Sequence, residues 1–164
     1  RRSFATIATD LDVQQSKIMR LLNHANGGNV TLGYQVSKNP ETLRKSVQDI
    51  SDYIDKHNAA TKFYNDGIVQ SNIGNTQEAV RLYNKAIESY PIEDTQLKSE
   101  TYYNRGLNKR YLEDYKGAIA DYTQAIKLKP DYYKAYNNRG YAKLLLKDYV
   151  GAITDFTMTI KYDN

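Results

Sequence analysis

Small and aromatic residues recur at helical spacing along the last two-thirds of the chain. Ala118, Tyr122, Ala125 and Ile126 share one helical face, which is the stripe an amphipathic helix turns toward a core. Ahead of residue 60 the pattern differs. Phe4, Ile7, Leu11, Ile18, Leu21 and Ala25 follow a heptad and predict one long helix ending at Gly27-Gly28-Asn29. Val30, Leu32, Tyr34 and Val36 alternate with polar residues and predict a short strand. Asn39-Pro40-Glu41 opens a second helix, with Asn as cap and Pro in the first turn; its apolar stripe is Leu43, Val47, Ile50 and Ile54.

The C-terminal pattern repeats. Tyr102, Asn104, Arg105, Gly106, Tyr115, Gly117, Ala118, Ile119, Asp121 and Ile126 each find an identical residue 34 positions later. A third copy lies 39 positions upstream, where Asn65, Gly67, Ala79, Tyr83, Ala86, Ile87 and Pro91 match Asn104, Gly106, Ala118, Tyr122, Ala125, Ile126 and Pro130. The five additional positions fit in the polar stretch Pro91–Gln96, where a longer loop costs little. Self-similarity at this period is the mark of a solenoid. Each copy reads as two helices. Gly and Ala stand where the helices approach closely, Asn75, Asp114 and Asp148 fall at the turn as caps, and Pro91 and Pro130 end the second helix. The domain boundaries that follow are 1–59 for a non-repeating helical segment, and 60–93, 99–132 and 133–164 for the repeats.

The period and the order aromatic, Gly, Ala, aromatic, Ala, Pro resemble the tetratricopeptide repeat, over residues 60–164. The resemblance implies an all-α fold: antiparallel helix pairs stacked in a right-handed superhelix, preceded here by the N-terminal helical segment. It also implies a peptide-binding concave face formed by the first helix of each pair. On this chain that face would carry Thr61, Tyr64, Asn65, Ile68 and Asn72, then Tyr103, Asn104, Leu107 and Tyr111, then Lys134, Asn137, Asn138, Tyr141 and Leu145. Asn65, Asn104 and Asn138 hold one place in all three repeats and resemble the family's asparagine ladder, whose amides both donate and accept. The Lys/Asn/Arg clamp by which some members hold a chaperone's C-terminal carboxylate is only partly present. Asn104 and Lys134 match it; Tyr64, Ile68 and Asn138 replace its other positions. Lys161-Tyr162-Asp163-Asn164 stops where a last proline is expected and no capping helix follows, so this end is expected to expose apolar surface, as in a fragment or in a homo-oligomer joined there.

Charge and composition narrow the function. The net charge is +4, with eight Lys/Arg against six Asp/Glu before residue 60 and fifteen against thirteen after it. No dense basic stripe results, so nucleic acid is not the favoured partner. No apolar run approaches the ~20 residues of a membrane span. The chain has no cysteine, so thiolate metal sites are excluded. His24 and His57 have no ligand partners at metal spacing, Gly27-Gly28 lacks the context of a phosphate loop, and no nucleophile, base and orienter form a set. No catalytic residue, metal or cofactor is expected. Arg105 with Asp121, and Arg139 with Asp155, recur sixteen residues apart and read as ion pairs within each repeat. Sixteen tyrosines, fourteen of them after residue 60, point to an amphipathic peptide ligand. One alternative remains: residues 7–22 resemble a repressor-type helix-turn-helix, with Gln14, Gln15, Ser16, Lys17 and Arg20 facing the DNA major groove. The protein would then be a transcription regulator with a sensing or dimerising solenoid.

Overall fold

The computed structural model describes residues 40–90 and 95–163. The helix-turn-helix residues Gln14, Gln15, Ser16, Lys17 and Arg20, the strand over 30–36, the Asn39 cap and the stripe residues Leu43, Val47 and Ile50 lie outside what is described. Six helices and no strand form among the described residues: α1 (Pro40–Asn72), α2 (Thr76–Ser89), α3 (Thr95–Tyr111), α4 (Tyr115–Leu128), α5 (Tyr133–Leu145) and α6 (Tyr149–Tyr162). The chain divides into two compact units, Arg1–Ile54 and Asp55–Asn164. In the first, the Gln48 side chain donates to Asp52 one turn on, at 2.7 Å. The boundary expected at 59/60 falls inside α1, because Lys56–Lys62 contains neither proline nor glycine to interrupt a helix.

In the second unit the helices pair in order, and each pair closes on an aromatic ring lying over a glycine. A Cβ on Gly67, Gly106 or Gly140 would come within 2.7–2.9 Å of Tyr83, Tyr122 or Phe156 respectively. Tyr122 is fully buried between Ala118 and Ala142, so an alanine at Gly106 would overpack this contact at a cost of about 1–3 kcal/mol. The connecting turns share a geometry. Gly74, Glu113 and Lys147, at one register, all take positive φ (80°, 61° and 64°). Only the first is the residue that adopts it without cost.

The caps differ for a physical reason. Asp114 and Asp148 each accept from a backbone N–H three residues on, Gly117 and Gly151, both at 2.9 Å. The carboxylates occupy the space a Cβ would take at those glycines. The first repeat has Glu78 there instead. Asn75 makes no side-chain cap and instead donates to Gln70 at 2.9 Å, which corrects the expectation for that residue.

Charge threads the repeats together. Arg105 holds Asp121 through Nε and Nη2, and Lys109 adds a third contact at 3.0 Å. Arg139 and Lys143 repeat this on Asp155, with Nε at 2.9 Å, Nη2 at 2.6 Å and Nζ at 2.9 Å. The carboxylates are buried, 3% and 1% exposed, so these are not the weak pairs of a protein surface. Arg105 Nη1 also donates to Asn84 at 2.7 Å, and Arg139 Nη1 to Thr123 at 3.1 Å. Each arginine therefore joins its own hairpin to the second helix of the preceding repeat.

Candidate functional site: a groove between the first two repeats

Along the first helix of a repeat, residues four and seven or eight apart share a face. That spacing aligns Tyr64, Ile68 and Asn72 on α1, and Tyr103, Leu107 and Tyr111 on α3. The upper end of this surface is held by contacts between tyrosines and asparagines. Asn104 Nδ2 donates to the Tyr64 hydroxyl at 3.2 Å, and that hydroxyl donates to Glu100 Oε2 at 3.4 Å. One repeat later, Asn138 Nδ2 donates to the Tyr103 hydroxyl at 3.1 Å and to its own helix at the Lys134 carbonyl, 2.9 Å away. Both Asn138 amide hydrogens are thus engaged, and one of the two on Asn104,. The Tyr64 ring leans on Tyr83 at 6.2 Å, and the Tyr103 ring on Tyr122 at 6.0 Å and Tyr132 at 5.0 Å. Burial, with the Glu100 charge adding to it, raises the Tyr64 phenol above its ordinary range, and burial raises Tyr103 as well.

Below these contacts lies a cavity of about 570 Å³, lined by Ile68, Ser71, Asn72, Gly74, Thr76, Tyr83, Asn104, Leu107, Asn108 and Tyr111. No lining residue carries a charge. The sequence explains the space. Ser71, Gly74 and Thr76 stand 39 positions before Arg110, Glu113 and Tyr115, which are far larger. Within the second repeat, Arg110 lies against the Tyr111 ring at 5.3 Å and beside Tyr122. Asn108 breaks the repeat too, matching Val69 and Ala142. It is 2% exposed, and its Nδ2 donates to Ser71 Oγ at 3.1 Å and to the Asn104 carbonyl at 2.9 Å. A backbone carbonyl only accepts, so the amide orientation is fixed, and Oδ1 is left buried without a hydrogen-bond partner.

The predicted site residues distribute as follows. Asn104 lines the cavity, as do Ile68, Asn72, Leu107 and Tyr111 of the wider concave set. Tyr64 meets Asn104, and Tyr103 meets Asn138. Asn65 and Lys134 are exposed, Asn137 is half-buried, and Tyr141 is exposed with its ring 5.2 Å from Phe156. Ser71, Gly74, Thr76, Tyr83 and Asn108 were not singled out from the sequence; laying the repeats over one another marks the first three by their small size. Among the described residues no group of His, Cys, Asp and Glu side chains is placed to hold a metal, and no helix is long and apolar enough to cross a membrane.

Two family models match, both described as tetratricopeptide repeat, over residues 63–91 and 99–132. No curated protein matches the sequence. Solved structures resemble the fold. The second such domain of Spaghetti (RPAP3), bound to the HSP90 peptide SRMEEVD, superposes with a TM-score of 0.65 at 24% identity, covering 72% of this chain and 97% of that one. The corresponding domain of Arabidopsis OM64 gives 0.60 at 24% identity, over 65% and 84%. The TPR2B domain of yeast Sti1, in its pHsp70 complex, gives 0.59 at 24% identity, over 64% and 80%. At these identities the likeness establishes an all-α solenoid.

Proposed function

The chain carries tetratricopeptide repeats, and from that premise we propose that it is a non-catalytic interaction module holding a peptide segment of another protein in the groove between its first two repeats. The observation that supports this most is the uncharged cavity built by Ile68, Asn72, Leu107 and Tyr111 beside the amide of Asn104. Apolar walls with a few fixed polar groups suit the burial of one or two amphipathic side chains. Asn65, Asn104 and Asn138 then meet the peptide backbone, with Tyr64, Tyr103, Asn137 and Tyr141 along its path and Lys134 at the far end. The ligand is a neutral, partly apolar segment and not an acidic C-terminus, because Tyr64 and Asn138 supply no cation, and Ile68 no amide, where a carboxylate clamp needs them.

Selection from a displayed library of short random peptides on the whole chain tests this. Selected peptides lose at least ~10-fold in affinity, ~1.4 kcal/mol, when the cavity is filled by Ser71→Arg, the residue the next repeat carries, or polarised by Leu107→Asp. The peptide SRMEEVD does not compete with them. Unchanged affinity in both variants, with helical content retained, removes the reading.

A further inference from the structure

The wall of the cavity holds a buried acceptor with nothing to accept. Asn108 Nδ2 gives both its hydrogens away, to Ser71 Oγ at 3.1 Å and to the Asn104 carbonyl at 2.9 Å. Ser71, Asn104 and Asn108 all line the cavity. The amide cannot turn over without setting its oxygen against a carbonyl, so the oxygen is held where it is. Among the described residues Oδ1 has no hydrogen-bond partner. The fold does not require an amide here, since the same place holds Val69 and Ala142 in the other two repeats. A buried acceptor left unpaired lowers stability, and a native structure with such a group calls for an account of it.

We propose that the cavity takes an aromatic side chain bearing a neutral donor, an indole N–H or a phenol O–H, and that Asn108 Oδ1 accepts from it. This rests on the reading that a peptide segment occupies the groove, and adds which side chain anchors it. The lining disfavours the other donors. No lining residue carries a charge, so an ammonium or guanidinium would enter without a counter-ion. A serine or threonine hydroxyl would leave most of the 570 Å³ unfilled. An aromatic ring fills more of it and lies against Ile68, Leu107 and Tyr83, where contact between rings adds to burial. Oδ1 is shielded in the free chain, so the entering ring reaches it by displacing atoms of the wall. Tyr111 is 68% exposed, so it can turn aside with little loss of buried surface. The bond then formed gives more than an ordinary exchange with water, because the free chain already bears the cost of the buried oxygen.

Peptides selected on the whole chain and weakened by Ser71→Arg are the probe. They are expected to carry tryptophan or tyrosine at one fixed position. Replacing that tryptophan by benzothienylalanine, or that tyrosine by phenylalanine, keeps the ring and removes the donor. Affinity measured by isothermal titration calorimetry is then expected to fall about 10-fold or more. In Asn108→Val, the residue the first repeat carries there, the two members of each pair bind equally, with far-UV circular dichroism as in the parent. The comparison of peptides on the parent chain needs no variant to fold. Cavity-dependent peptides that place an aliphatic side chain there, or bind equally with and without the donor, overturn this inference alone and leave the groove reading standing. Discrimination that persists in Asn108→Val overturns it as well. Peptides indifferent to both Ser71→Arg and Leu107→Asp remove the groove reading and this inference together.

Discussion

Asp121 ties the two helices of the middle repeat together. Its carboxylate is buried, takes two contacts from Arg105 and one from Lys109, and through Arg105 connects to Asn84 of the repeat before. Asp121→Asn keeps the shape and removes the charge. Arg105 and Lys109 are then left facing a neutral amide, with 16% and 21% of their side chains exposed. Breaking a buried pair from one side costs about 3–5 kcal/mol; the partial access of both cations to water places this case near the lower end, at ~3 kcal/mol. In a chain of this length that is a fall in melting temperature of about 6–12 °C. The first repeat shows how the same place is filled without charge: Leu82, Asp66 and Gln70 stand where the second has Asp121, Arg105 and Lys109. Installing that set as Asp121→Leu, Arg105→Asp and Lys109→Gln together is expected to cost ~1 kcal/mol, less than the single change. A triple change that costs less than a single one is the sign that these groups are coupled. Thermal and urea unfolding followed by circular dichroism measure both. If Asp121→Asn lies within ~0.5 kcal/mol of the parent, or the triple variant is less stable than the single one, the cluster does not hold the repeat as argued.

Other expectations rest on single contacts. Burial holds the Tyr83 and Tyr122 phenols protonated well above their usual range. The unfolded chain releases these protons near pH ~10 while the folded chain keeps them, so stability is full below that pH and falls above it; urea titrations across alkaline pH should show the fall, and a smaller one in Tyr122→Phe. At neutral pH that variant is expected to lie within ~1 kcal/mol of the parent, because the buried Tyr122 hydroxyl makes no hydrogen bond of good geometry and only the neighbouring Arg110 guanidinium offsets its burial,. Asp114→Ala loses a cap and ~1 kcal/mol, whereas Asn75→Ala, which removes no cap, changes melting by much less. Glu113→Gly relieves a positive φ and is expected to raise stability by ~1 kcal/mol in denaturant unfolding.

Contacts within a repeat were largely legible, because they recur at fixed offsets. The Gly106–Tyr122 approach, the Arg105–Asp121 pair and the Asp114 cap each follow from one helix facing the next at known spacing. Lys109 and Lys143 are an exception within the repeat: each stands a turn beyond its arginine, and only the hairpin's crossing brings it back to Asp121 or Asp155. Contacts between repeats were less legible. The asparagines at 104 and 138 were read as ligand-facing, and their spacing gives no sign that each reaches a tyrosine of the preceding repeat. That contact depends on the rotation between repeats, which no period in the sequence encodes.

The cavity lies where the repeats stop resembling one another, and this bears on where a ligand would sit. A perfect repeat places the same side chains at every junction and so makes every junction equally full or equally open. Here the second repeat carries Arg110 and Tyr115 at the positions where the first carries Ser71 and Thr76, and Asn108 lines the cavity where its counterparts are Val69 and Ala142. Leaving that space open forgoes packing, and burying Asn108 Oδ1 without a partner costs about 1–3 kcal/mol. Stability alone favours the larger residues, which the fold accommodates one repeat later. The departure from the repeat at Ser71, Thr76 and Asn108 therefore carries more information about binding than the asparagines that keep to it.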